Sequence, residues 1–230
     1  DWPRKSPTLL TALPLTWHPS YHPIIYYGSL SRQTSEAWYD NVTDADAEQN
    51  VRKTYTTTYD EAGRVAATGD GVHDLQYTYS IFGLLSSTTQ DLDGLSDDAV
   101  FTYSHDVLGR KTMVTAQIGT TDDYVNRYVY DTLGRVTRMT QAGVSGGNDV
   151  AGKRVDVAYS DDGTRWTLTR LADLAGTKFV AETDQVFDQL GRVGAITHKR
   201  AGTEFADYDL TWDAAGRITD FDFTSLVGDD

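Results

Sequence analysis

Five times in this chain an aspartate and an arginine stand four residues apart behind a ring. The sets are Tyr59-Asp60 with Arg64, His105-Asp106 with Arg110, Tyr130-Asp131 with Arg135, Phe187-Asp188 with Arg192, and Trp212-Asp213 with Arg217. A carboxylate, a guanidinium and an aromatic face held together could transfer protons, or could grip a sugar between a flat ring and a polar rim. Other residues suit metals. Asp91, Asp93 and Asp97 surround Gly94 and offer alternating oxygens to Ca²⁺, although a calcium site needs six to eight converging ligands and turns are rich in Asp for local reasons. His18 and His22, four apart, have a spacing that chelates zinc from one helical face, but Pro19 and Pro23 oppose a helix there. The acidic stretch Asn41–Glu48 reads as a loop and lacks the glycine of a helix-loop-helix calcium site.

Catalysis finds little further support. With 34 acids, carboxylate pairs are unavoidable and discriminate nothing. No Gly-x-Ser-x-Gly elbow, phosphate loop or dinucleotide fingerprint occurs. His73, His105 and His198 are isolated in the sequence. The absence of cysteine removes disulfides and Cys-based zinc or redox sites. A formal charge of −14 argues against nucleic acid and anionic membranes, which need clustered Lys and Arg. No apolar run approaches a membrane span.

The elements that must position these residues repeat. Two weaker copies complete the series: Tyr79-Ser80-Ile81-Phe82-Gly83-Leu84 has lost the acid and the base, and Tyr159-Ser160-Asp161-Asp162-Gly163-Thr164 keeps the ring and the glycine. The key glycines are Gly63, Gly83, Gly109, Gly134, Gly163, Gly191 and Gly216, a period of about 25 residues that announces a repeat architecture. An Asp, two residues content in the right-handed helical region and a Gly free to take positive φ describe a type I turn closed by a glycine bulge. Each unit is then a β-hairpin tip, with Asp and Arg facing across it.

The next rung places Tyr59 opposite Val65, Tyr79 opposite Leu85, Tyr130 opposite Val136, Phe187 opposite Val193 and Trp212 opposite Ile218. Ring against aliphatic pairs of this kind contribute about 0.2–1 kcal/mol each and disfavour slipped registers. Two units depart: His105 meets Lys111 with Tyr103 against Met113, and Tyr159 meets Arg165 with Trp166 one step further on. Second turns fall between the tips, at Gly69-Asp70-Gly71, Asp93-Gly94, Gly119-Thr120, Gly146-Gly147-Asn148, Gly176 and Gly202. The fold class is therefore all-β, a repetitive antiparallel hairpin meander of roughly fourteen strands that twist forces to curl, coil or split. A propeller is the rival architecture.

The Tyr-Asp-x-x-Gly-Arg signature at 59–64 and 130–135, with near copies at 105–110, 187–192 and 212–217, resembles the YD-repeat, or Rhs-repeat, family over about residues 52–224. The resemblance implies a long sheet that spirals into a hollow shell, and members that are secreted or surface-displayed bacterial proteins, toxin-encapsulating subunits and animal adhesion receptors. Toxin-carrying members end their repeats with an Asp-Pro-x-Gly motif where internal cleavage releases cargo. No Asp-Pro pair occurs here, so self-cleavage is assigned to no residue of this chain.

Two segments are expected. Residues 1–50 hold all five prolines and read as an irregular, Pro-rich cap or plug laid against the sheet through apolar residues such as Trp2, Trp17, Ile24 and Ile25. Residues 51–230 are the repeat sheet, and the alternation Ile218-Thr219-Asp220-Phe221-Asp222-Phe223 leaves an open edge, so further repeats of a longer chain or copies of itself are expected as partners. A start at Asp1 suggests a mature or cut chain.

The functional expectation is a non-catalytic extracellular or surface scaffold of a bacterial host, acting as a shell wall that encloses or presents a polypeptide. A carbohydrate-binding or adhesion module is the alternative, and a polysaccharide-active enzyme the third reading. No cofactor is expected beyond the Ca²⁺ candidate at Asp91, Asp93 and Asp97. The signature residues themselves, including Asp106, Gly109 and Arg110, are expected to be structural. Local function would lie where the rule breaks, at Ser80, His105, Asp161 and the first fifty residues.

Overall fold

The computed structural model describes residues 4–6, 22–28, 30–91, 94 and 96–225, with side chains from residue 22 onward. It divides into two compact units, Asp1–Phe101 and Thr102–Asp230. In the first, β1 (Arg4–Ser6), β2 (His22–Tyr27), β3 (Gln33–Tyr39), β4 (Lys53–Tyr59), β5 (Val65–Gly69), β6 (Asp74–Tyr79) and β7 (Leu85–Asp91) pair in sequence order, each antiparallel to the next. A short helix, α1 (Val42–Ala47), joins β3 to β4. The strand β8 (Ala99–His105) runs across the division. The second unit continues with β9 (Lys111–Ile118), β10 (Thr121–Tyr130), β11 (Val136–Gly143), β12 (Lys153–Tyr159), β13 (Arg165–Leu171), β14 (Phe179–Phe187), β15 (Val193–Arg200), β16 (Thr203–Trp212) and β17 (Ile218–Ser225), again each antiparallel to its successor. The protein is an all-β antiparallel meander.

The period-2 pattern of the strands explains the pairing. In β6, Leu75, Tyr77 and Tyr79 share one half-buried face while Gln76 and Thr78 are exposed on the other. In β10 the rings Tyr124, Tyr128 and Tyr130 alternate with exposed Arg127 and Val129. The core is correspondingly thin. In the first unit Ala37, Tyr39 and Ala45 are buried together, with Ile24 and Tyr26 against them, and in the second the buried apolar residues are Val114, Ala116, Leu171 and Ala206.

The described part of the first fifty residues is regular, not irregular. β2 contains Pro23 yet pairs with β3 through six rungs, because a strand tolerates proline where its missing donor is not required. The expected acidic loop at Asn41–Glu48 is α1: the Asn41 side chain accepts from the Asp44 N–H at 2.9 Å, and Glu48 closes the helix in the left-handed region. His18 and most of the proline-rich stretch fall outside the described residues.

Candidate functional site

Every one of the seven signature glycines adopts positive φ, from 72° at Gly163 to 82° at Gly134. Each donates its N–H to the carbonyl three residues back, as Gly134 does to Asp131 at 3.1 Å and Gly83 to Ser80 at 2.9 Å. The N–H of Asp131 in turn donates to the Arg135 carbonyl at 2.9 Å, and a bulge follows where Tyr130 pairs with Val136. Tyr59 pairs with Val65, Tyr79 with Leu85, Phe187 with Val193 and Trp212 with Ile218 in the same way. The turn is the type I plus glycine bulge that the residue types require.

Within a tip the acid is fully engaged. One oxygen of Asp131 accepts from the N–H groups of Leu133 and Arg135 at 2.9 and 2.8 Å, and the other takes the Arg135 guanidinium at 2.7 Å. Asp60, Asp106, Asp188 and Asp213 hold Arg64, Arg110, Arg192 and Arg217 through two guanidinium nitrogens each, at 2.7–2.8 Å. These bonds set the acidity. The Arg64 guanidinium holds Asp60 below the ordinary carboxylate range, and the Arg192 and Arg217 backbone N–H groups lead the same effect at Asp188 and Asp213. At Asp106 and Asp131 partial burial opposes ionisation, but the arginine and backbone bonds together outweigh it.

The arginine also does something that spacing alone does not reveal. It lies over the ring of the following repeat: Arg64 over Tyr79 at 4.3 Å, Arg110 over Tyr130 at 4.7 Å, Arg135 over Tyr159 at 4.3 Å and Arg192 over Trp212 at 5.6 Å. The polar edge of that ring then donates to the carbonyl just after the arginine. Tyr79 reaches Val65 at 2.8 Å, Tyr130 reaches Lys111 at 2.6 Å, Tyr159 reaches Val136 at 2.9 Å, and the Trp212 indole reaches Val193 at 2.7 Å. Asp, Arg and ring thus form one brace, which fastens the Asp60, Asp106, Asp131 and Asp188 tips each to the tip that follows.

An earlier copy emerges from the geometry. Gly28 accepts from Ser31 and donates to Arg32, Ser31 has φ 56°, Arg32 stacks over Tyr59 at 4.5 Å, and the Tyr59 hydroxyl donates to Gln33 at 2.7 Å. Tyr27–Arg32 is therefore a brace unit with Gly and Ser in the places of Asp and Gly. The fifth copy needs a correction. Tyr159 pairs with Trp166, not Arg165, because Thr164 is an extra loop residue and the N–H of Ser160 donates to the Arg165 carbonyl at 2.9 Å. Asp162 organises that loop, accepting from Ser160 Oγ, Thr164 N and Thr164 Oγ1, and these bonds bring its pKa down to about 2. Freed from the tip, Arg165 pairs with Asp184 at 2.7 Å.

Among the described residues of the second unit, Asp184 is the most buried acid. Thr167 donates to it at 2.5 Å and Lys199 at 2.8 Å, and although burial raises its pKa these bonds and Arg165 more than offset it. Asp70 is its counterpart in the first unit, bonded to Lys53 and to the N–H groups of Val72 and His73, with a pKa far below the ordinary range. A small cavity of about 180 Å³ is lined by Trp38, Arg52, Lys53 and Tyr55. Of the calcium candidates, Asp93 lies outside the described residues, Asp91 pairs across the sheet with Asp74, and Asp97 accepts from Ser96 at 3.1 Å. Among the described residues, no group of three or more His, Asp or Glu could hold a metal, and no helix is long and apolar enough to cross a membrane.

No protein-family model matches this chain, and no curated protein does. Among solved structures it is similar to the crystal structure of TcdB2-TccC3-TEV, with 12% identity over 90% of this chain and 13% of that chain, at a TM-score of 0.33. It is also similar to the crystal structure of TcdB2-TccC3, with 10% identity over 86% of this chain and 16% of that chain, at a TM-score of 0.28. Similarity at this level carries no weight for fold or function.

Proposed function

We propose that this chain is a wall segment of a YD-repeat shell, a secreted or surface-associated bacterial scaffold that encloses or presents a polypeptide and has no catalytic role of its own. The observation that carries this reading is the brace. The groups that could have formed a site, Asp131, Arg135 and Tyr159 and their equivalents, are spent on joining one hairpin to the next. Contacts of that kind serve a sheet built to extend by repetition. The adhesion alternative needs free ring faces, and Tyr59, Tyr79, Tyr130, Tyr159 and Trp212 each carry a guanidinium over the ring.

Protease protection tests the proposal. The native protein that contains this chain is digested before and after mild unfolding, and the released peptides are identified by mass spectrometry. A non-repeat polypeptide that resists digestion until the wall opens supports enclosure. A preparation in which every non-repeat segment is cut at once, with the wall intact, refutes it.

A further inference from the structure

Carboxylates hold most of the arginines of the second unit, as Asp156 holds Arg138 and Arg154 and Asp184 holds Arg165. Arg170 is held differently. Its guanidinium donates to the Thr183 hydroxyl at 2.8 Å, and that hydroxyl lies 3.0 Å from His198 Nδ1. Thr183 is 4% exposed, whereas Arg170 is exposed. A hydroxyl has a single hydrogen, and with Arg170 donating to the oxygen that hydrogen goes to Nδ1, which places the imidazole hydrogen on Nε2. A buried threonine backed by a neutral histidine thus orients a guanidinium and leaves its positive charge uncompensated.

Side chains alternate between the two faces of a strand, so the register assigns each residue to one of them. Arg170 lies opposite Val155 and Ala181, and Thr183 lies opposite Leu168 and His198. Arg200 follows His198 by two residues and Lys153 precedes Val155 by two, which places both on the face of Arg170. In a chain of net charge −14, that face carries no carboxylate on β12–β15 among the described residues. The opposite face carries Asp156, Glu182 and Asp184, and its cations Arg138, Arg154, Arg165 and Lys199 each pair with an acid. Lys153, Arg170 and Arg200 are exposed, and among the described residues none of the three makes an ion pair.

We infer that this face binds an acidic segment of another polypeptide, which lies across β12–β15 with one carboxylate on the Arg170 guanidinium and others toward Arg200 and Lys153. A guanidinium takes a carboxylate through two parallel hydrogen bonds, and one whose direction is already fixed loses less freedom in doing so. The surroundings select polypeptide over sugar. Val155, Leu168 and Ala181 beside Arg170 are half-buried and aliphatic, whereas the rings on that side, His198, Phe205 and Tyr208, are packed on one another. Thr183 and His198 are positioning residues that act through Arg170. The inference rests on this geometry and holds whether or not the wall encloses the polypeptide that binds.

The probe is a short fluorescein-labelled peptide of alternating glutamate and valine, and the readout is its fluorescence anisotropy with the whole chain at low salt. Binding in the micromolar range is expected, against the repulsion of a chain with net charge −14, and the same peptide with glutamine for glutamate does not bind. Arg170→Gln and Arg200→Gln each weaken binding about five- to tenfold. Thr183→Val leaves every charge in place and weakens binding about threefold by freeing Arg170, and Thr183→Ser restores it. Arg127→Gln, an equal loss of charge on the opposite face, changes nothing. No binding, equal binding after Arg170→Gln, or an equal loss from Arg127→Gln overturns the inference. So does a sulfated polysaccharide or a single-stranded DNA that binds tighter than the peptide with the same dependence on Arg170, which would make the partner a different polyanion.

Discussion

The coupling between Arg135 and Tyr159 can be predicted from geometry. The guanidinium carbon lies 4.3 Å from the ring centroid, and the Arg135 side chain is 35% exposed, so the contact is partly but not fully screened. Contacts of this type run from about 0.5 kcal/mol at exposed sites to about 2 kcal/mol when desolvated, which places this one near 1 kcal/mol. Arg135→Ala also removes the bond to Asp131, and Tyr159→Leu also removes the hydroxyl that reaches Val136 at 2.9 Å. A double-mutant cycle subtracts both. The control Tyr159→Phe keeps the ring, loses only the hydroxyl bond, costs about 1 kcal/mol and leaves the coupling to Arg135 in place. Because repeat proteins need not unfold in one step, amide exchange in β12 and β13 is the assay, where 1 kcal/mol appears as roughly a fivefold change in rate. Costs that add to within about 0.3 kcal/mol would refute the brace between these repeats.

Three more outcomes follow from the same geometry. Gly191→Ala costs about 1–2 kcal/mol through backbone strain alone, since φ is 73° and nothing lies within 4 Å of the added carbon, whereas Gly194→Ala stays within about 0.5 kcal/mol because its φ is ordinary and its nearest neighbour is the Val186 carbonyl at 3.7 Å; urea midpoints compare them. Asp184→Asn keeps the shape, removes the charge that Arg165 and Lys199 share, and lowers stability by about 2 kcal/mol by the same measurement. Acid titration followed by carboxyl NMR finds Asp162 near 2, well below its unfolded value of 3.8. A depressed folded pKa makes its contribution complete above 3.8 and progressively lost as pH falls toward 2, and Ser160→Ala moves the titration back up.

Much of this architecture is readable from residue order. The tip glycines and the rungs Tyr59–Val65, Tyr130–Val136 and Trp212–Ile218 follow from turn chemistry and the period of 2, which act between neighbours in sequence. The stacking of Arg135 on Tyr159 does not, because it depends on which strands become neighbours and on how far a guanidinium reaches beyond its own Asp. The Tyr27–Arg32 unit is hidden for a different reason: Gly28 and Ser31 satisfy the backbone requirements of the turn without the signature residues. One inserted residue, Thr164, shifts Trp166 into register with Tyr159, and its effect becomes visible only through the hydrogen bonds of Ser160 and Asp162. Asn41 and Asp44 turn an acidic stretch into α1 by a local cap that composition alone obscures.

Electron cryomicroscopy of the intact native protein containing this chain tests the wall account most directly. The account predicts a braced sheet in which Arg135 covers Tyr159 and Arg192 covers Trp212, with a non-repeat polypeptide against one of its faces. A sheet with both faces open to solvent and no polypeptide against either would contradict it.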